Sequence, residues 1–261
     1  MTSASHPDPA LGIFETLLVI GGGPIELDAH MDRLAASLEA LFGLALPAEA
    51  LELIDERAAG INLGRLRLTA TPAADGVAYD AVAREIDPRI FLPDWEHGPE
   101  LLAQPLAGGL GFHKWADRSR LRDTPEDAVP LLVDNGDEVL EAGWANVFAS
   151  FDGTLVTPRA DGRILAGVTR AIAIAIASEA GIEVRERRLR RIQLLEADEV
   201  FLTGSVRGVA PARALDGEPL PQAGEISRLV GDALRQRWTP PAVAAVAPGR
   251  ATAPPPGRPA R

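Results

Sequence analysis

The chain has 261 residues, 46% of them hydrophobic, with 25 Gly, 22 Pro, no Cys and a formal net charge of −11. That supplies core material for one large domain or two modest ones, while the acidic balance argues against general nucleic-acid binding and against an anionic membrane surface. The lack of cysteine excludes disulfides and thiolate chemistry, His6, His30, His97 and His113 have no metal-ligand spacing, and no leader or membrane-length apolar run is visible, so a metal-free cytoplasmic protein is expected.

Residues 1–10 read as a loose lead-in. GIFETLLV then reads as a strand, and GGGP as a hairpin turn rather than a phosphate loop, since GxxxxGK is missing. LDAHMDRLAASLEALFG places Leu27, Met31, Leu34, Leu38 and Leu41 at helical spacing with Gly43 as a stop; PAEALELIDERAAG predicts a second helix. RLRLTATPA and YDAVAREI predict two strands joined at Asp75-Gly76. The Pro- and Gly-rich stretch over 88–110 reads as an interdomain connection, which puts an N-terminal α/β domain at 11–107 and a C-terminal one at 108–238. Beyond it, PLLVDNGDEVLEAGWANVFASFDGTLVTP reads as consecutive strands with turns at Asp134-Asn135-Gly136 and Asp152-Gly153. GVTRAIAIAIASEAGIEV predicts a helix apolar on most sides and hence buried; a strand, a short helix, another strand and the terminal amphipathic helix EISRLVGDALRQRW follow. The Pro/Ala-rich tail, 239–261, is expected to be disordered.

Of 26 Lys+Arg residues, Lys114 in GFHKWADR is the only lysine. It follows a glycine-rich strand segment and precedes WADRSRLR, read as the start of a helix, so its amine can point into an interdomain cleft. An amine there loses its proton more easily than in water and can attack a carbonyl; a surface lysine left over in an arginine-rich chain is the competing explanation. Gly167, Val168 and Thr169 open a helix whose free N–H groups suit a phosphate, and Thr203, Gly204 and Ser205 follow a strand with donors of the same kind. Both also fit an ordinary helix start and an ordinary strand-ending turn. Glu141 precedes the small-residue turn AGWAN, where a carboxylate could pair with a protonated ring nitrogen or sit on a hairpin surface. Trp115 and Trp144 either line the site or pack the core.

In chain order, FETL, HMDRL, Lys114, EAGWANVF, GVTR, DEVFLTGS and a final DG resemble the class IV pyridoxal-phosphate aminotransferases over about residues 11–218. That family includes branched-chain and D-amino-acid aminotransferases and aminodeoxychorismate lyase. The resemblance implies a fold-type-IV α/β enzyme of two mixed domains, a homodimer, with pyridoxal 5'-phosphate in the interdomain cleft. It implies Lys114 as the lysine that carries the cofactor aldehyde, Arg33 of the HxxRL motif on the phosphate and Glu141 on the pyridine nitrogen. Val168 and Thr169 N–H and the Ser205 hydroxyl would join Arg33 on the phosphate. KWADR resembles the Lys-x-x-Asn/Asp-Arg pattern of aminodeoxychorismate lyases, whereas branched-chain enzymes tend to carry a tyrosine where Ser119 stands. Arg118 and Arg207 are then the candidates for a dianionic amine. Only ten residues precede LGIFETL, which resembles the lyase-like domain fused behind aminodeoxychorismate synthase components and suggests a functional link to that synthase. The implied reaction is conversion of 4-amino-4-deoxychorismate to 4-aminobenzoate and pyruvate, a step of folate biosynthesis. The alternatives are transamination of a branched-chain or D-amino acid and a catalytically silent relative.

Overall fold

The computed structural model describes residues 7–91, 95 and 98–239. After a short 3-10 turn at Pro9–Leu11 the chain forms β1 (Ile13–Ile20), β2 (Gly23–Pro24), α1 (Leu27–Phe42), α2 (Ala48–Ala58), β3 (Leu63–Ala73) and β4 (Gly76–Glu85). Their sheet is antiparallel, in the order β2-β1-β3-β4. GGGP is a hairpin turn as its composition predicts: Gly21 and Gly22 have φ of 57° and 80°, the left-handed pair that matches strand twist. Next come α3 (Pro88–Phe91), β5 (Glu100–Pro105), β6 (Ala128–Asp134), β7 (Glu138–Ala142), β8 (Asn146–Phe151), β9 (Thr154–Thr157) and α4 (Val168–Glu179). The chain continues with β10 (Val184–Glu186), α5 (Arg191–Leu195), β11 (Glu199–Gly204), β12 (Gly208–Pro211), β13 (Ala214–Leu215), β14 (Glu218–Pro219) and α6 (Glu225–Trp238). These strands make two five-stranded sheets, β14-β13-β5-β6-β7 and β10-β9-β8-β11-β12.

Strand alternation decides how the layers stack. Val147 and Ala149 of β8 and Val200 and Leu202 of β11 pack against Leu101, Leu131 and Val139 of the β5–β7 sheet. Their neighbours Phe148 and Phe201 point the other way, stack with ring centroids 5.2 Å apart, and meet Ala173 and Ala177 of α4 and Val230 and Leu234 of α6. That sheet is therefore buried on both faces, which explains its near-continuous apolar strands. β1 is divided in the same way. Leu17 and Val19 join α1, α2 and β3 in one core, whereas Leu18 and Ile20 reach the core around α4 and α6. Arg237 and Trp238 at the end of α6 donate to the Glu26 carboxylate beside the start of α1, tying the last helix to the first.

The structure corrects several expectations. WADRSRLR forms turns, not a helix, because the Asp117 carboxylate accepts the N–H groups of Ser119 and Asp8 and so competes with helical pairing. Residues 106–113 are loop rather than strand. The expected connection over 88–110 contains β5, which pairs in parallel with β6. Residues 7–10 are not loose, since the Asp8 N–H is held by Asp117 and the Asp8 carboxylate caps Ala10 N–H. α4 is buried on one face only: Ala171, Ala175 and Ser178 are exposed, small side chains for which high hydropathy does not require burial. Residues 1–6 and the tail beyond Thr239 lie outside the described residues. Among the described residues no helix is long and apolar enough to cross a membrane.

Glu199 caps α6 from the neighbouring sheet: its carboxylate accepts N–H bonds from Gly224, Ile226 and Ser227 at 2.8–3.1 Å. Glu199→Ala strands those donors in a buried place and is expected to destabilise the fold by about 2–4 kcal/mol, read as a lower urea midpoint; an unchanged midpoint would refute the capping role.

Candidate active site

A cavity of about 440 Å³ opens between the β1–β3 face and the strand ends of the second half. Lys114, Arg33, Glu141, Val168, Thr169, Ser205, Arg118 and Arg207 all line it. The loop that carries Lys114 is held on both sides. Phe14 N–H donates to Lys114 O (2.9 Å) and Ala116 N–H to Gly12 O (2.9 Å), so residues 114–116 run as a short extension along the start of β1. Upstream, Gly109 has φ of 66° and packs where a Cβ would strike Arg163 O, so only glycine lets this loop approach the 161–166 loop. Lys114 Nζ lies 4.8 Å from the Phe14 ring centroid. Burial, reinforced by the nearby Arg33 charge, pulls the Lys114 amine down to about 7.

Glu141 sits on β7, buried, and its Oε2 accepts the Leu165 N–H at 3.1 Å. Burial pushes it up to about 7 even though that N–H and the Arg118 charge favour the carboxylate. Leu165 belongs to a segment that gathers the site. Its carbonyl accepts from Asn146 Nδ2 (2.9 Å), the Ala166 carbonyl accepts from Arg33 Nη1 (3.0 Å), and Gly167 is the cap residue just before α4. A Cβ at Gly167 would collide with Asn146 Oδ1. Two hydroxyls in the cavity lining, Thr169 Oγ1 and Thr203 Oγ1, are buried without a hydrogen-bond partner.

One wall is basic. Arg65 and Arg67 alternate with the core residues Leu66 and Leu68 along β3 and so face the cavity, beside Arg118 and Arg207. Among the described residues none of these four arginines forms an ion pair. Arg67 and Arg118 instead lie over the Phe14 ring, at 3.8 Å and 5.1 Å from its centroid, and Arg207 over Trp144 at 5.0 Å. Sequence reading missed Arg65 and Arg67 as site residues, although the R-L-R-L alternation signals a shared face. Trp144 lines the cavity, while Trp115 packs against the first core. The combined chemistry is an amine, a carboxylate able to hold or share a proton, unpartnered hydroxyls at the start of α4 and on β11, and guanidinium groups without an ion-pair partner among the described residues.

The sequence matches the family described as amino-transferase class IV over residues 12–215. Its relatives include branched-chain-amino-acid aminotransferase 1, mitochondrial, of Arabidopsis thaliana, 43% identical over 140 residues that make up 51% of this chain and 33% of that protein. The chain thus spans only about a third of that relative's length. Among solved structures, 4-amino-4-deoxychorismate lyase from Pseudomonas aeruginosa is 27% identical with a TM-score of 0.71, covering 90% of this chain and 95% of that one. The branched-chain amino acid aminotransferase of Escherichia coli shares the fold: 20% identity, TM-score 0.73, covering 88% of this chain and 86% of that one.

Because only the uncharged amine attacks a carbonyl, lowering Lys114 from 10.5 to about 7 brings its reactivity into the neutral range. Reductive methylation followed peptide by peptide should show labelling of Lys114 in the apoprotein rising through a midpoint near pH 7. A midpoint above pH 10 would contradict the desolvated environment.

Proposed function

This chain belongs to the amino-transferase class IV family, and on that premise we propose that it is a pyridoxal 5'-phosphate enzyme that converts 4-amino-4-deoxychorismate to 4-aminobenzoate and pyruvate. The residues present fit the cofactor. Thr169 Oγ1 and Thr203 Oγ1, buried and unpartnered, together with the Val168 and Thr169 N–H groups, Ser205 and Arg33, form a donor set suited to its phosphate. Glu141, the buried carboxylate of the lining, suits its ring nitrogen, and Lys114 suits its aldehyde. When bound, the cofactor supplies an electron sink for the carbanion formed beside the substrate amine.

The chain's own residues do the rest. With the cofactor bound, Lys114 Nζ would take the proton from the carbon that bears the substrate amine; an amine brought down to about 7 is a competent base at neutral pH. Glu141 would hold a positive charge on the ring nitrogen. Arg118, with Arg65, Arg67 and Arg207, holds the substrate carboxylates. Cleavage of the ether C–O bond releases enolpyruvate, which takes up one proton to become pyruvate, while the proton lost from the ring leaves the product aromatic, so that the atoms balance with no second substrate.

The observation that carries this reading is Arg118: four residues after Lys114, it lines the cavity, stacks on Phe14 beside the amine and has no carboxylate partner among the described residues. The same reading makes the working protein a cytoplasmic homodimer, supplied by an aminodeoxychorismate synthase and contributing to folate biosynthesis. A second reading, transamination of a branched-chain amino acid, is favoured by the local 43% identity to the Arabidopsis enzyme and by Ile90, Leu110 and Leu121 in the lining.

The two readings part on one reagent. With pyridoxal phosphate and 4-amino-4-deoxychorismate, pyruvate should appear in step with 4-aminobenzoate without any added keto acid, and Arg118→Met should raise KM about 10- to 100-fold, the worth of a charged hydrogen bond. Turnover that depends on a keto acid would replace the lyase reading with the aminotransferase one.

A further inference from the structure

Glu15 stands in the middle of the apolar strand β1, on the side that faces α1, and is 1% exposed. A carboxylate in that place is costly unless its oxygens are occupied, and they are. Oε1 accepts from Arg33 Nε (2.8 Å), while Oε2 accepts from Arg33 Nη2 (2.6 Å) and meets His30 Nδ1 at 2.8 Å. His30 is equally buried, three residues before Arg33 on α1. Burial alone would push Glu15 up; the Arg33 charge and the hydrogen bonds from His30 and Arg33 hold it at about 2, so it is an ionised acceptor. His30 Nδ1 must then carry the hydrogen, and it cannot also accept from Arg33 Nη2, 3.4 Å away.

This settles where the guanidinium has donors to spare. Of its five N–H bonds, Nε–H and one Nη2–H go to Glu15 and one Nη1–H goes to Ala166 O, which leaves one N–H on each terminal nitrogen. Terminal N–H groups of this kind are those with which arginine grips a planar or tetrahedral anion, here on a side chain that lines the cavity.

We propose that Glu15, backed by His30, is a positioning residue for Arg33: it locks the Nε/Nη2 edge so that the remaining two N–H groups are presented to the phosphate of the bound cofactor. This rests on the pyridoxal-phosphate reading above and adds to it two residues that touch neither ring nor substrate. It also opposes simple electrostatics. A negative charge behind the phosphate-side arginine weakens anion attraction, so charge alone predicts that neutralising Glu15 tightens phosphate binding, whereas positioning predicts the reverse.

The experiment titrates the apoprotein, by absorbance, with pyridoxal 5'-phosphate and with pyridoxal, which has the same ring and aldehyde but no phosphate. Wild type should prefer the phosphorylated form. Glu15→Gln should weaken pyridoxal phosphate about tenfold or more, the scale on which lost outer-shell partners act in metal sites, and leave pyridoxal unchanged. His30→Ala should lose part of the same preference, and His30→Asn, whose amide N–H can replace Nδ1–H, should regain it; this pair carries the test if Glu15→Gln does not fold. Unchanged or tighter pyridoxal phosphate binding in Glu15→Gln, or equal losses for both ligands, would overturn the positioning role alone. Equal wild-type affinity for the two ligands would overturn the phosphate reading and this inference with it.

Discussion

An amine and a carboxylate that share a water-poor cavity both lose their charge more readily than in solvent, and much of the architecture serves to keep Lys114 and Glu141 in that condition. Each titrates near 7, the amine from above and the acid from below, and burial is the leading cause for both. Neither half of the molecule could create this alone. Lys114 is carried on the loop that pairs with the start of β1, Glu141 on β7, and Phe14 and Thr16 of β1 line the cavity that both groups face.

The segment from Arg163 to Thr169 joins the second half together and meets the first at Arg33. Arg163 binds Asp134, Glu138 and Asp161 together, and its carbonyl receives the Gly111 N–H. Leu165 then holds Glu141, Ala166 holds Arg33, and α4 starts with its free N–H groups at the cavity. This one segment thus sets the relation between Glu141, Arg33 and the start of α4. Such fixed placement matters because a site displaced by an ångström loses much of its catalytic advantage.

What could be read from sequence followed the range of the forces involved. Local chemistry was legible: the left-handed glycines after β1, the apolar stripe of α1 that ends at Gly43, and the helix start at Gly167 depend on neighbours a few residues away. The lone lysine and the spaced motifs likewise led to residues that converge on one cavity. Long-range pairing was not legible. ELLAQP is short and hemmed by proline and glycine, and its role as a central strand depends on parallel pairing with β6 more than twenty residues later. WADRSRLR has ordinary helix formers but sits where Asp117 is recruited by Asp8, over a hundred residues upstream. The alternation of Arg65 and Arg67 with leucines marks a shared face, yet only the tertiary arrangement shows that this face lines a cavity. Glu15 reads as a misfit in an apolar strand until α1 brings His30 and Arg33 across it.

The central claim, that Lys114 is the amine to which the cofactor is joined, is tested most directly by loading the protein with pyridoxal 5'-phosphate, reducing it with borohydride and mapping the modified peptide. The account predicts one stable pyridoxyl-phosphate adduct, on Lys114, and none in Lys114→Ala. Absence of an adduct at saturating cofactor, or an adduct confined to the N-terminal amine, would contradict it.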